Sequence, residues 1–220
     1  MTEHHPGSIN LKMHASDREV KEIQSIFAIL DKALVCHVGI VEGGIPYVIP
    51  HNFGRLGDEL VMHGALGGRL MNHITSGEVI CVEVTLLDSL VLARSLFMHS
   101  VNYRSVMVFG KGRLIDTDSE KIQALKAISD QLIPGRWEEC RQPNQKELNA
   151  TKVIAIKIES VTAKVNDGMP DDKKDDLDFP VWAGILPLNT VGSEPIRAED
   201  QESSFIPSFE IRDFKRNGIG

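Results

Sequence analysis

The chain has 220 residues, 42% of them hydrophobic and 25% charged, with a formal net charge of -7. This suits a globular protein with one substantial core, either a single domain or a domain with appendages. The acidic balance, with no massed basic stripe, argues against nucleic acid as a partner, because backbone binding needs concentrated positive charge. One small phosphorylated ligand needs only a local basic spot and stays open. No apolar run has membrane-spanning length, since residues 79–92 are interrupted by Glu83 and Asp88, so no membrane partner is expected. Residues 2–6 lack the basic flank and apolar centre of a secretory signal. Cys36, Cys81 and Cys140 are odd in number and widely spaced, which fits a reducing, cytoplasmic setting.

Residues 1–15 read as a flexible leader. Ser16-Asp17-Arg18-Glu19 has the form of a capping box, and Val20, Ile23, Phe27 and Leu30 recur at helical spacing, which predicts a helix over 17–30. The pattern then changes to strands. Residues 33–41 and 45–52 flank the turn Glu42-Gly43-Gly44 as a hairpin. Pro46 and Pro50 mark its second strand as an edge. A third strand is predicted over 59–63, a short helix over 69–75, and further strands over 79–87 and 105–114. Ile122, Leu125, Ile128 and Leu132 give a helix over 119–132, stopped by Pro134-Gly135. A strand over 153–158 extends toward 165. Residues 166–178 read as a solvated acidic loop, 180–184 as an apolar island, and 189–220 as a C-terminal extension. Short strands without βαβ alternation predict a compact β-barrel with peripheral helices.

The stretch His63-Gly64-Ala65-Leu66-Gly67-Gly68-Arg69-Leu70 carries the chemistry. Strand, glycine-bearing loop, then a cation at a helix start is a place for an anion, and Arg69 adds a fork of donors. The plain alternative is a glycine turn with a surface arginine. A dinucleotide fold would place its glycines after the first strand, not the third. His63 is a candidate donor to a phosphate or ring carbonyl, or else a strand-end histidine satisfied by backbone. His51, His63, His73 and His99 lack metal-motif spacing, so no metal motif is expected. Tyr103, Arg104 and Ser105 at a strand mouth suit the rim of a pocket for a flat heterocycle, or a loop that satisfies itself. Trp182 could cap a pocket or dock on a partner. A phosphate anchor and a stacking surface without a nucleophile suggest that a cofactor carries the reactivity.

These residues resemble the flavin-binding proteins related to pyridoxamine phosphate oxidase, especially the branch that includes nitroimidazole-resistance proteins. The resemblance is carried by Pro46-Tyr47-Val48-Ile49-Pro50, Leu60-Val61-Met62-His63-Gly64-Ala65 with Gly68-Arg69, Leu92-Ala93-Arg94-Ser95, the run from His99 to Val106, Pro134-Gly135-Arg136-Trp137 and Val181-Trp182-Ala183-Gly184, over residues 16–188. It implies a mainly β, split-barrel fold over 16–188 and a homodimer with flavin at the subunit interface. FMN is the usual ligand, with FAD the alternative. By motif it implies His63, Gly64, Ala65 and Arg69 at the phosphate and ribityl chain, and Asn52 and Phe53 near the ring. Tyr103, Arg104 and Ser105 fall beside the cofactor, with Trp182 supplied by either subunit. His63 is also the position of the special histidine of the nitroimidazole-resistance branch. The oxidase's arginine–lysine pair is here Gly68-Arg69, and its C-terminal arginine motif is not recognisable, which leaves pyridoxamine phosphate oxidation unsupported. The leading expectation is an FMN-dependent oxidoreductase acting on a small organic acceptor such as a nitroaromatic. The rivals are a flavin-binding or storage protein without turnover, and a haem-binding split barrel with a histidine ligand.

Overall fold

The computed structural model describes residues 18–158 and 160–217. In chain order the elements are α1 (Ile23–Lys32), β1 (Cys36–Glu42), β2 (Ile45–His51), β3 (Gly54–Leu56), β4 (Glu59–Ala65), α2 (Arg69–Ile74), β5 (Ile80–Leu92), β6 (Ser100–Gly110) and β7 (Gly112–Leu114). There follow α3 (Asp118–Leu132), α4 (Arg136–Glu139), α5 (Gln145–Ala150), β8 (Thr151–Lys157), β9 (Ser160–Asn166), β10 (Gly184–Pro187), β11 (Asn189–Val191), α6 (Phe209–Arg212) and β12 (Lys215–Asn217).

The strands form two main sheets. One has the order β2-β1-β5-β6-β9, with β10 added to the far half of β5, and the other has the order β3-β4-β8-β7. Valines of β1, β5 and β6 (Val38, Val82, Val84, Val106, Val108) meet Leu60, Met62, Ile154 and Ile156 of the second sheet. Ile26, Ile29 and Leu30 of α1 close the end of this core. The second sheet's other face carries Val61, Val153 and Ala155 against Ala124 and Ile128 of α3. Gly54 permits that close packing, because a Cβ there would lie 2.6 Å from the Ala127 backbone. The mainly β fold with peripheral helices agrees with expectation. Among the described residues no hydrogen-bonded strand pair joins the two main sheets, so the predicted barrel is not closed by pairing.

The first helix is displaced from the prediction. Ser16 and Asp17 lie outside the described residues, while Glu19 bridges to Lys164 and the Val20 N–H donates to Ala163 O at 3.0 Å. The segment therefore covers the edge of β9, and the helix starts only at Ile23. Gln131 of α3 then anchors its end: Nε2 donates to the carbonyls of Leu30, Asp31 and Ala33 at 2.9, 3.2 and 2.5 Å. Leu30 O also takes the N–H of the cap residue Ala33 at 3.2 Å, so the Gln131 amide adds to a helix end that its own backbone only partly satisfies. The predicted strand over 105–114 instead starts at Ser100 and breaks between Gly110 and Gly112, where the chain crosses from one sheet to the other.

The acidic loop is not wholly solvated, as the sequence suggested. The Asp172 side chain is 2% exposed. Its carboxylate accepts the Arg94 and Ser95 amides at 2.8 and 3.2 Å and Arg94 Nη1 at 3.1 Å. Burial pushes this carboxyl up, but the Ser95 amide, the Arg94 guanidinium and the Arg94 amide outweigh it, leaving it below its ordinary range. A depressed carboxyl stabilises the fold above its unfolded pKa and loses that contribution as pH falls through its folded one. Hydrogen exchange at the Arg94 and Ser95 amides should therefore stay slow at neutral pH and accelerate below the ordinary carboxylate range. Asp172→Asn should give fast exchange already at neutral pH, and unchanged exchange would refute the tie.

Candidate functional site

β4 ends in the loop that carries the anion-site candidates. The Gly68 N–H donates to Ala65 O at 2.9 Å, closing a tight turn before α2. Gly64 serves packing: a Cβ there would meet Met71 Cγ of α2 at 2.7 Å. His63 lies opposite Val153 of β8 and lines a cleft of about 380 Å³ with Val35, Pro50, His51 and Asn52. Burial, and secondarily the neighbouring His51, push the His63 ring below its ordinary pKa, so it is neutral at pH 7. Its Nδ1 is buried without a hydrogen-bond partner. An unmet buried polar atom costs about 1–3 kcal/mol, and a polar ligand edge in the cleft is one way to relieve it.

Arg69 reaches back to the β1–β2 hairpin. Its guanidinium carbon lies 4.5 Å from the centre of the Tyr47 ring, and Nη1 lies 3.4 Å from Glu42 Oε2. The side chain remains 55% exposed, so this is an exposed ion pair, worth roughly 0–1 kcal/mol. The Tyr47 face thus orients a cation whose charge partner among the described residues is the exposed Glu42.

The other sequence candidates lie elsewhere. The Phe53 ring is wholly buried in the core. Arg104 donates from Nε and Nη2 to Asp88 Oδ2 and Oδ1 at 2.8 and 2.7 Å, and it lines a second cavity, not the His63 cleft. Tyr103 and Ser105 alternate with Arg104, Val106 and Val108 along β6, so they project to the face away from the core. Trp182 is 64% exposed, with its indole beside Gly184, where a Cβ would lie 2.8 Å from the ring. The structure therefore brings together Asn52 and His63, places Arg69 beside Tyr47, and adds His51 and Val35. From sequence alone His51 stands out only as a metal candidate. Its signal was adjacency to Asn52 at the end of an edge strand.

The three thiols are free. Burial pushes Cys36 up to about 12 and also raises Cys81, so neither is a ready thiolate at neutral pH. No described helix is long and apolar enough to cross a membrane.

The chain belongs to the pyridoxamine 5'-phosphate oxidase family, whose model matches residues 22–165. The FAD and haem binding protein from Mycobacterium smegmatis is 34% identical, with 91% of this chain and 99% of that one covered at a TM-score of 0.85. The flavocytochrome Anf3 from Azotobacter vinelandii is also 34% identical, with 91% and 93% covered at a TM-score of 0.82. A candidate 5-nitroimidazole antibiotic resistance protein from Bacteroides thetaiotaomicron is 27% identical, with 67% and 86% covered at 0.58. No curated protein matches the chain. Residues 1–188 are 188 of 220, or about 85%, so coverage of 91% reaches into the C-terminal extension. The expected nitroimidazole-resistance branch is thus corrected: similarity is greater, and runs further, to the FAD- and haem-binding proteins.

Proposed function

We propose that the chain is a flavin-binding protein of the split-barrel type, with its flavin in the cleft between β2 and β4 and haem as a second cofactor. The observation that carries this reading is the reach of the two 34% identical matches into the C-terminal extension, both to proteins described as binding haem or as a flavocytochrome. The residues present fit a flavin: His63 offers a neutral ring with an unmet nitrogen, Asn52 supplies an amide beside it, and Arg69 is an oriented, half-exposed cation. FAD is the form named for one neighbour, which favours it over FMN. A bound flavin supplies hydride or single-electron chemistry, and the chain binds it, orients it and limits water. Turnover of a small acceptor, including a nitroaromatic, is the further step. Flavin binding without turnover is the alternative.

Tyr103, Ser105 and Trp182 line neither this cleft nor the cavity beside it. For them to touch the flavin, as the resemblance implies, a second copy must bring them to it, and the proposal includes that homodimer. The first test is the absorption spectrum of the untagged purified protein with mass identification of what it releases. Flavin bands together with a Soret band are expected. Failure to retain or bind any flavin at micromolar supply refutes the proposal. Anaerobic reduction by NADH or NADPH, then reoxidation by nitroaromatics, separates turnover from storage.

A further inference from the structure

An antiparallel sheet with one face on a core ordinarily turns polar side chains to water on the other. The first sheet departs from this. Val38 of β1, Val82 of β5, Val106 of β6 and Ala163 of β9 belong to the core, so their strand neighbours lie on the opposite face. The pairing register sets those neighbours in rows. Pro50, His37, Glu83, Met107 and Thr162 form one row, and Val48, Gly39, Cys81, Phe109 and Ser160 form the next. Apolar side chains prevail, and Val48 and Val41 are 71% and 61% exposed. The helices that pack on sheets lie elsewhere: α1 closes the core side, and α2, α3 and α5 rest on the second sheet.

The face suits a second copy of this chain. A net charge of -7 opposes self-association, but this face does not share it. Its charged side chains are Glu83 and Lys164, and His37 Nδ1 stands 3.7 Å from Glu83 Oε2, within reach of ionic attraction. Five strands about 4.8 Å apart, each about seven residues long at 3.3 Å apiece, span roughly 24 by 23 Å. Side-chain relief raises the accessible area of such a plate toward the roughly 800 Å² that each partner buries in a specific interface. Pro50 lies on this face and also lines the His63 cleft, so the cleft opens at its border. Tyr103 and Ser105 lie on the same face, paired with Leu87 and Thr85. A twofold contact uses the same patch on both copies, so it joins one protomer's cleft border and the partner's Tyr103 and Ser105 in one interface.

We propose that this uncovered face is where a second copy docks, sheet on sheet, and that the flavin cleft is completed only by that contact. The assignment rests on the flavin and homodimer reading above and gives the homodimer its surface.

The test is sedimentation velocity of the full-length protein as purified, with bound flavin read by absorbance in the same run. The unaltered protein should sediment with the mass of two chains at micromolar concentration and carry flavin. Val48→Glu and Met107→Glu each put an unpaired carboxylate into the contact of both copies. They should raise the dimer dissociation constant about hundredfold or more, sediment as single chains and lose flavin. Both positions are exposed in the single chain, and an unchanged circular dichroism spectrum certifies the fold. Phe97→Glu, an exposed apolar site outside the sheet, should leave a flavin-loaded dimer. If Val48→Glu and Met107→Glu remain dimers, the face assignment falls and the homodimer reading stands. If they become single chains that keep their flavin undiminished, the contact does not complete the cleft and the proposal falls. If the unaltered protein is a single chain with flavin bound, the homodimer reading and the face fall together, while flavin binding stands.

Discussion

Replacing Asp88 by alanine is expected to lower the free energy of unfolding by about 3 kcal/mol or more, the range for removing one partner of a buried ion pair. The pairing register of β5 with β6 shifts between Leu87 and Ser89, so Asp88 is the residue left over at a bulge. Its carbonyl accepts the Leu188 N–H at 2.9 Å, and its carboxylate takes both donors from Arg104. One residue thus ties β6 to the segment leading into β11. Truncation leaves the guanidinium, 18% exposed, without its charge partner. Denaturant midpoints at constant slope measure the loss. The pair Asp88→Leu with Arg104→Met should recover most of it, since the penalty comes from the orphaned charge. A change under about 0.5 kcal/mol in Asp88→Ala, the level of an ordinary surface substitution, would mean that the pair does not bear on folding.

Local patterns carried much of this fold. The Gly43-Gly44 turn was legible because both residues take positive φ, 58° and 81°, which only glycine adopts cheaply. The helix over 119–132 was legible from its stripe, and its cap is Thr117, which accepts from the Glu120 amide. Three short helices, α4, α5 and α6, are not predicted, although in α5 Asn144 and Glu147 form a capping box whose spacing stands in the sequence. The start of α1 was not legible, because Glu19 and Val20 answer to the edge of β9, more than 140 residues away. The candidate site divides in the same way. His63 and Arg69 belong to one strand–loop–helix unit and could be read together. Pro50 and His63, or His37 and Glu83, meet only through the tertiary fold, and no spacing announces them. In sequence Arg104 suits a pocket rim, but its partner Asp88 is set by a strand bulge that periodicity cannot foresee.

Arg69→Ala should weaken binding of the phosphorylated flavin about tenfold or more, while leaving riboflavin unchanged. The reasoning compares two partners for one guanidinium. Against Glu42 it makes an exposed pair at 3.4 Å, worth roughly 0–1 kcal/mol. Against a phosphate it can offer charge-assisted hydrogen bonds worth about 1.5–3 kcal/mol, and about 1.4 kcal/mol is a factor of ten in affinity. A phosphate at this place would therefore displace Glu42, and stacking on Tyr47 would reduce the ordering cost of doing so. Glu42→Gln follows in the opposite direction: with the competing carboxylate removed, the phosphorylated flavin should bind several-fold tighter and riboflavin equally well. Calorimetric titration of flavin-free protein with FAD, FMN and riboflavin reads all of these. Equal weakening of all three ligands by Arg69→Ala would place the arginine in the architecture of the β1–β2 hairpin, held by Glu42 and Tyr47, and not at the phosphate.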